Sequence, residues 1–257
     1  MIRPGLHRLF HLFAVALPVL IFCLPAMAID IPVPKVELTI TQAKYPKEMA
    51  LSLELLLIFT VLSLAPSLVM MLTAYTRVFI VLSFVERAIG LQQLPPRQIL
   101  AGMAMFLTFY IMAPTFTVIY HEAVMPFYNQ EVPTQTAYAK TMHELRKFMF
   151  SQTREKDLGL FFRLSSTPAP KSRGGVPTHI LVPAFMLSEM KTAFTMGIII
   201  YIPFIVIDMV VASVLMSMGM IMVPPAMISL PIKVLIFVLV NGWDLLAYSI
   251  VKSYHLV

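Results

Sequence analysis

One apolar stretch, Gly197–Trp243, restricts the possible folds of this chain more than any other feature. Its length predicts a pair of membrane-spanning helices. The stretch nevertheless contains Asp208, Lys233 and several prolines. Charges and prolines are costly in lipid unless neighbouring protein pairs the charge and satisfies the freed backbone groups. We therefore expect these helices to be buried in an assembly or to line a path, which favours transport over simple anchoring.

The composition places the whole chain in the membrane class. Of its 257 residues, 59% are hydrophobic and only 12% are charged, and the mean hydropathy is +0.84. Charged residues make up about a quarter of soluble domains. The net charge of +6 is ordinary for loops beside a membrane and gives no indication of a nucleic-acid partner. We expect an all-α membrane protein with four long, hydrophobic, proline-kinked helices arranged as two hairpins, together with a small helical periplasmic insert.

The first residues have the three parts of a secretory signal. Arg3 and Arg8 come before the apolar run Leu9–Leu24, and small residues end the segment at Ala28. We expect a cleavable signal peptide over 1–28, followed by a periplasmic lead over 29–48. The only cysteine, Cys23, lies in the part to be removed. Four spans then place both mature termini and the long insert on the periplasmic side.

The remaining apolar segments define the hairpins. We expect spans at about Met49–Leu72, Ala101–Tyr120, Pro183–Met218 and Ala226–Ile250. These spans give a first helical hairpin over 49–120, an extramembrane insert over 121–182, and a second hairpin over 183–257 with a methionine-rich turn. Three prolines within the spans, Pro66, Pro203 and Pro231, predict helix kinks.

The insert contains one clear amphipathic pattern, from about Ala137 to Asp157. Its apolar positions recur at helical spacing with Lys, Arg and Glu opposite them. They are Ala139, Met142, Leu145, Phe148 and Met149. We expect a small packed helical subdomain here, which contributes to assembly between copies.

The sequence gives little support for a catalytic site. His121-Glu122 and His143-Glu144 each begin like a zinc-protease helix, but the second histidine is replaced by Met125 and Lys147. The chain also contains no phosphate-binding loop, no GxSxG motif and no Gly-rich dinucleotide turn. We therefore expect no enzyme activity, no cofactor and no metal site.

Asp208 has three possible roles. It could pair with Asp244 as an intramembrane aspartyl dyad, but the Gly-x-Gly-Asp context is missing. It could relay protons, as intramembrane carboxylates often do. Most simply, it forms an ion pair with Lys233 that fixes packing or assembly. An intrachain pair requires an extended lysine, so a pair between subunits is at least as plausible.

The turn of the second hairpin is rich in methionine. Gly219 is flanked by Met216, Met218, Met220 and Met222, and Pro224 and Pro225 follow. Flexible thioethers on a tight turn could close an opening and still yield to a passing chain. The residues alone favour the simpler alternative, a hydrophobic loop buried between helices.

Three blocks of the sequence change that balance. TRVFIVLSFVERAIGLQQLPPRQILAGMAMFLTFYIMAP, VPAFMLSEMKTAFTMGIIIYIPFIVIDMVVASVLMSMGMIMVPP and ISLPIKVLIFVLVNGW closely resemble the FliP family of the flagellar type III export apparatus, which has the virulence-secretion relative SctR. The resemblance implies that several copies assemble with FliQ and FliR into a helical export gate in the inner membrane, within the flagellar basal body. It also implies FlhB and FlhA as further partners, contact with membrane lipid, and unfolded flagellar subunits as the export substrates.

The resemblance also assigns a role to the turn. In the family, the loop corresponding to Gly219–Val223 forms a methionine-rich gasket around the closed pore, which implies that Met220, Ile221 and Met222 form the gasket here. Ile221 departs from the pattern, because a third methionine is common at that position. We therefore favour a non-enzymatic, protein-conducting gate subunit. The alternatives are an SctR-type virulence gate subunit and an ion-coupled small-solute transporter built around Asp208.

Overall fold

The computed structural model describes residues 46–90, 96–165, 168, 170, 172–220 and 222–255. The chain divides into two units, 1–53 and 54–257, and the account below concerns the second. The predicted signal peptide and its cleavage site lie outside the described residues, as does Ile221 of the predicted gasket. Those expectations stay predictions.

Helices are the only regular secondary structure in the described part of the chain. Nine α-helices follow one another there, with a π-helical turn over Tyr120–Val124 and a 3-10 turn over Arg173–Gly175. The α-helices are α1 (Pro46–Leu72), α2 (Tyr75–Ile89), α3 (Arg97–Ile119), α4 (Met125–Tyr128), α5 (Thr134–Gln152), α6 (Glu155–Leu164), α7 (Thr178–Ser217), α8 (Pro225–Leu239) and α9 (Gly242–His255). The all-α expectation is therefore confirmed.

The number of membrane spans is confirmed only in part. Among the described residues, two helical segments are long and apolar enough to cross a membrane: Arg97–Tyr128, which joins α3 to α4, and α7. Helices α8 and α9 form a third span if the bend of 65° between them is taken as a break within one crossing. The first predicted span coincides with α1, in which Leu53–Leu64 is a shorter apolar segment. Four crossings remain a prediction.

Helix α2 forms the centre of the described core. Its buried apolar side chains recur at mostly three- or four-residue spacing, so one face of the helix is largely apolar. They are Val78, Val81, Leu82, Val85, Ala88 and Ile89. The helix packs most extensively against α7 and also contacts α3 and α8. It ends where Gly90 adopts a φ of +85°, a conformation open to glycine because it has no Cβ. The predicted first hairpin thus contains a third helix that joins it to the second hairpin.

The amphipathic pattern in the insert forms two helices rather than one. Helix α5 ends at Gln152, and Thr153 and Arg154 are extended before α6 begins at Glu155. The backbone N–H of Arg154 donates to Ser188 Oγ on α7 at 3.0 Å instead of continuing the helix. A tertiary hydrogen bond therefore replaces a helical one at this position. Of the predicted apolar stripe, Met149 is fully buried and Ala139 is exposed.

The fourth predicted span is interrupted beyond Pro231, not at it. Helix α8 continues through Pro231 to Leu239, and the chain bends between α8 and α9. Asn241 has a φ of +50°, and a Cβ on Gly242 would lie 2.2 Å from a ring carbon of Phe237. The Phe237 ring therefore occupies the space above Gly242, which explains a glycine at the start of α9. Pro66 and Pro203 likewise lie inside continuous helices, α1 and α7, and the kinks predicted at the three prolines stay predictions.

Candidate functional site on helix α7 and its turn

Helix α7 carries three groups of polar or flexible side chains along its 40 residues. A buried charged cluster and a second ion pair occupy its first half, where it contacts α2, α5 and α6. The pair predicted from the sequence, Asp208 and Lys233, lies in its second half. The methionine turn follows its last residue, Ser217.

The buried cluster centres on Arg77 of α2 and Glu189 of α7. Arg77 Nε donates to Glu189 Oε2 at 3.0 Å, and Arg77 Nη2 contacts the other carboxylate oxygen. Arg77 Nη2 also donates to Gln152 Oε1 at 3.0 Å, and Nη1 donates to Ser253 Oγ at 3.0 Å. Arg77 is 2% exposed and Glu189 is fully buried, so each charge depends on the other for compensation.

Tyr254, near the end of α9, completes this cluster. Its hydroxyl lies 2.6 Å from Glu189 Oε2 and 3.2 Å from the carbonyl oxygen of Ala74. A phenol has one proton to donate, and the shorter, charge-assisted bond to Glu189 is the stronger. The guanidinium carbon of Arg77 lies 3.8 Å from the centre of the Tyr254 ring. The cluster thus connects four helices, α2, α5, α7 and α9.

A second ion pair attaches the insert to α7. Asp157 of α6 accepts a hydrogen bond from Ser188 Oγ at 2.8 Å and contacts Lys191 Nζ. Burial raises the pKa of the Asp157 carboxyl, but hydrogen bonds from Lys191 and Ser188 and the charges of Lys191 and Arg154 outweigh it, so this pKa lies below its ordinary value of 3.8. Arg154 Nη2 also donates to Thr192 Oγ1 at 3.0 Å.

Asp208 and Lys233 form an ion pair within one chain. Lys233 Nζ donates to Asp208 Oδ2 at 2.6 Å, which joins α7 to α8. The lysine side chain is 7% exposed, whereas the aspartate side chain is 42% exposed. The structure of the single chain thus shows the intrachain alternative, and a pair between subunits stays a prediction.

The same pair lies in the wall of a cavity of about 1370 Å³. Residues of α2, α3, α7 and α8 line this cavity, among them Glu86, Arg87 and Arg97. Its remaining wall is largely apolar, with side chains such as Phe79, Leu100, Tyr201 and Leu230. Asp208, with its side chain 42% exposed, therefore borders an open, partly charged space rather than a close-packed core.

Two backbone hydrogen bonds at the C-terminal end of α7 form the methionine turn. Gly219 N donates to Met216 O at 3.1 Å and Met220 N donates to Leu215 O at 3.0 Å, the two bonds of a Schellman motif. Gly219 supplies the positive φ of +74° that this motif requires. Pro224 then precedes α8, and Pro225 is its first residue, where the missing N–H has no helical partner to lose.

The methionine side chains of this turn point away from the rest of the chain. Met222 is 95% exposed, and Met216 and Met218 are each about two-thirds exposed. Met220 is 40% exposed. The single chain alone does not bury these four side chains at a helix interface, and their burial between chains stays a prediction. Each leaves a long apolar thioether available to lipid, to another chain or to a ligand.

The residues that resembled catalytic motifs remain separate. His121 and Glu122 are exposed on the π-helical turn, and His143 Nδ1 lies 3.2 Å from Oε1 of the adjacent Glu144. Among the described residues, no group of three or more His, Cys, Asp or Glu side chains could hold a metal ion.

Sequence reasoning missed Glu189 and Tyr254. Glu189 is the one charged residue in the run MLSEM, and its only signal is a carboxylate in a largely apolar segment. Tyr254 lies in a short mixed segment, SYHLV, with no pattern that indicates burial. Neither signal identifies Arg77 as the partner, because the contacts join residues 112 and 65 positions apart.

Comparison with known proteins gives a consistent result. The family model described as "FliP family" matches residues 57–250 of this chain. The flagellar biosynthetic protein FliP of Bacillus subtilis (strain 168) is 49% identical over 209 residues, which cover 81% of this chain and 95% of that protein. The proteins of the same name from Borreliella burgdorferi and Treponema pallidum (strain Nichols) are 47% and 46% identical and cover 80% and 86% of this chain, and 83% of each relative. The matched region contains α2, α3, α7, α8 and the methionine turn.

Proposed function

Because this chain belongs to the FliP family, we propose that it is a core subunit of the flagellar type III protein export gate. In this role it forms, with FliQ and FliR, the channel through which unfolded flagellar subunits cross the inner membrane. Several copies of the chain, and contacts with FlhB and FlhA, complete the assembly. The subunit is a structural and transport component and has no catalytic role of its own.

The exposed methionine turn between two apolar helices is the observation that carries this proposal. Met220 and Met222 follow the end of α7 at Ser217, and their side chains are 40% and 95% exposed in the single chain, so they are accessible to a pore axis. Thioether side chains exchange rotamers readily, so copies from neighbouring subunits can seal against ions and still separate for a polypeptide. Gly219 and the prolines Pro224 and Pro225 fix the backbone of the turn on either side.

Exposed apolar helix surface supports a multi-subunit assembly. Helix α1 exposes most of its described Leu, Ile, Val and Phe side chains, and α3 and α7 each expose an apolar face. Apolar patches of this extent mark contact with lipid or with other proteins. Association would cover part of this surface, and lipid would cover the rest.

Leakage through the closed gate tests the gasket. Met220→Ala together with Met222→Ala should widen the constriction, so cells carrying the assembled variant should become sensitive to small ions while export continues at least in part. Leu at both positions should retain the seal. Met209→Ala is a matched control, because Met209 is exposed on α7 but distant in sequence from the turn. If the assembled double Ala variant leaks no more than the parent, the gasket role is wrong.

The proposed orientation places the mature termini and the insert in the periplasm. A cysteine at Ser172, which is exposed in the insert, should react with a membrane-impermeant maleimide in intact spheroplasts. A cysteine at Gln98, exposed at the start of α3, should react only after the inner membrane is opened. Both variants carry Cys23→Ser to remove the native thiol. The reverse labelling pattern would contradict the orientation without affecting the gate assignment.

A second function, an ion-coupled small-solute transporter, derives its support from the Asp208–Lys233 pair in the wall of the large cavity. The two functions differ in assembly. Purification in mild detergent should yield a multi-copy complex with other membrane proteins if the chain is a gate subunit, and a small autonomous unit if it is a transporter. Complementation of a flagellar and of a virulence export mutant distinguishes a FliP-type from an SctR-type role.

A further inference from the structure

The large cavity between α2, α3, α7 and α8 has more positive than negative charge on its wall. Three cations and two carboxylates line it, which leaves an excess of one positive charge. Lys233 is compensated by Asp208 at 2.6 Å. Among the described residues, the side chains of Arg87 and Arg97 take part in no hydrogen bond or ion pair. Two guanidinium groups at the cavity are therefore available to an anion.

Both arginines belong to the same end of the helix pair α2 and α3. Arg87 lies in the last turn of α2, and Arg97 is the first residue of α3. Leu82 and Leu100 belong to one buried cluster, which brings the end of α2 beside the start of α3. Both arginines are exposed. The connecting residues 91–95 lie outside the described residues and are not part of the site.

The remaining wall of the cavity is long and largely apolar. On α2 its lining extends from Phe79 to Gly90, which corresponds to about 16 Å of helix at 1.5 Å per residue. Tyr201 and Leu230 add apolar surface from α7 and α8. The volume of about 1370 Å³ exceeds the roughly 300–1,000 Å³ that is usual for sites of drug-sized ligands. A space with free cations and a long apolar wall fits an anionic amphiphile better than a small ion.

The position of Arg97 along the chain favours a phospholipid as this amphiphile. Arg97 begins the apolar segment Arg97–Tyr128, which is long enough to cross a membrane. Residues at the end of such a segment lie at the level of the lipid headgroups. Guanidinium groups match the geometry of phosphate oxygens, and basic pockets between spanning helices bind anionic headgroups. Charge complementarity thus favours an anionic phospholipid over a zwitterionic one.

We propose that this cavity is a binding site for one anionic phospholipid. Arg87 and Arg97 bind the headgroup phosphate, and an acyl chain lies along the apolar wall that includes Phe79 and Leu230. The Glu86 carboxylate, in the same wall, repels the phosphate and limits the affinity. Binding is non-covalent and involves no proton transfer. A bound lipid bridges α2 and α3 to α7 and α8, a role that goes beyond the proposed function and does not depend on it.

Lipid titration of the purified full-length chain in detergent tests the site. The probes are dioleoyl phosphatidylglycerol, its zwitterionic counterpart dioleoyl phosphatidylcholine, and inorganic phosphate as an anion without acyl chains. The parent should retain one phosphatidylglycerol per chain in native mass spectrometry and should bind phosphatidylcholine and phosphate more weakly. Arg87→Gln with Arg97→Gln should weaken phosphatidylglycerol binding by at least about tenfold, because each basic contact with an anionic headgroup contributes about fivefold.

Matched variants separate the cavity from general surface charge. Arg163→Gln with Arg173→Gln removes the same charge from exposed arginines of the insert, outside the cavity, and should leave binding unchanged. Glu86→Gln should strengthen binding by about twofold or more, because a like charge near the phosphate is lost. The single variants Arg87→Gln and Arg97→Gln should each weaken it by about fivefold, which covers a double variant that fails to fold.

Three results would overturn the proposal. The first is a parent that binds both lipids equally or binds neither. The second is a loss of binding in the insert variant as large as the loss in the cavity variants. The third is inorganic phosphate that binds as tightly as phosphatidylglycerol, because the apolar wall would then contribute nothing. Since binding is measured on the isolated chain, each result is independent of whether the chain forms an export gate.

Discussion

The two halves of helix α7 bury very different numbers of side chains, although both are apolar. The first half buries eight residues, Ile180, Leu181, Ala184, Phe185, Ser188, Glu189, Ala193 and Gly197, whereas the second buries only Phe204, Val211 and Leu215. In the first half every charge is paired within the chain, and α2, α5 and α6 cover the helix. In the second half an exposed carboxylate faces a cavity and apolar side chains point outward.

This difference separates a structural region from a recognition region. Most of the packing in the first half is made within one chain, although Met190 and Phe194 stay exposed, so the buried residues there specify the fold. The second half and its turn leave apolar area and thioethers uncovered, so their interactions are completed only by lipid, by neighbouring subunits or by a ligand. Substitutions should therefore reduce the stability of a single chain in the first half and affect assembly or sealing in the second.

The largest expected effect is that of Glu189→Ala. The substitution leaves the Arg77 charge buried and unpaired, which should lower the free energy of unfolding by about 3–5 kcal/mol. Thermal or denaturant unfolding in detergent measures this, with the exposed Glu122→Ala as the matched control. The double variant Arg77→Met with Glu189→Met should recover much of the loss, because it removes both charges. If Glu189→Ala leaves the free energy of unfolding unchanged, this cluster does not stabilise the packing of the first half of α7.

The second-largest loss of stability is expected from overpacking in the first half of α7. A Cβ on Gly197 would lie 2.5 Å from Cγ of Phe84, so Gly197→Ala requires the Phe84 ring to move. We expect a loss of about 1–3 kcal/mol from this overpacking. Gly102→Ala on α3 is the control, because nothing lies within 4 Å of its Cβ position and alanine favours a helix. If both substitutions behave alike, α2 and α7 are not in close contact at this point.

Breaking the Asp208–Lys233 pair should have a smaller effect on the isolated chain. Asp208→Ala leaves Lys233 without its partner, but the aspartate side chain is 42% exposed, so the pair is less buried than Arg77–Glu189 and we expect a loss of roughly 1–2 kcal/mol. The charge swap Asp208→Lys with Lys233→Asp should restore part of it. An Asp208→Asn variant that is stable and assembles but does not export would instead assign the carboxylate a role in proton transfer.

Much of this architecture could be predicted from residue patterns. The period of α2, the glycine at its end and the apolar length of α7 follow from local sequence, and so do the turn at Gly219 and the helix start at Pro225. Local patterns also identify Lys233 as the partner of Asp208 seen in the single chain. They do not show whether the two residues of a pair belong to the same chain. The Arg77–Glu189–Tyr254 cluster could not be predicted, because it depends on how distant helices approach one another.

Two helix boundaries were missed for the same reason. The break after Gln152 is set by a hydrogen bond from Arg154 to Ser188, and the bend before Gly242 by the position of the Phe237 ring. In each case a contact with another helix or with a side chain one turn away overrides a continuous apolar pattern. Single-sequence periodicity carries no information about such contacts.

The smallest expected effect concerns the ion pair that attaches the insert to the first half of α7. The pKa of Asp157 lies below its ordinary value of 3.8, so its contribution to stability is complete at higher pH and is lost as pH falls below 3.8 through the lowered folded-state pKa. Amide hydrogen exchange in α6 should therefore accelerate in this acid range more than exchange in α2. Asp157→Asn should exchange faster at neutral pH and show little further change on acidification, whereas the exposed Glu155→Gln should retain the pH dependence of the parent. If α6 and α2 respond to acid together, the insert is released only when the whole unit unfolds, and the first half of α7 forms one cooperative structure with it.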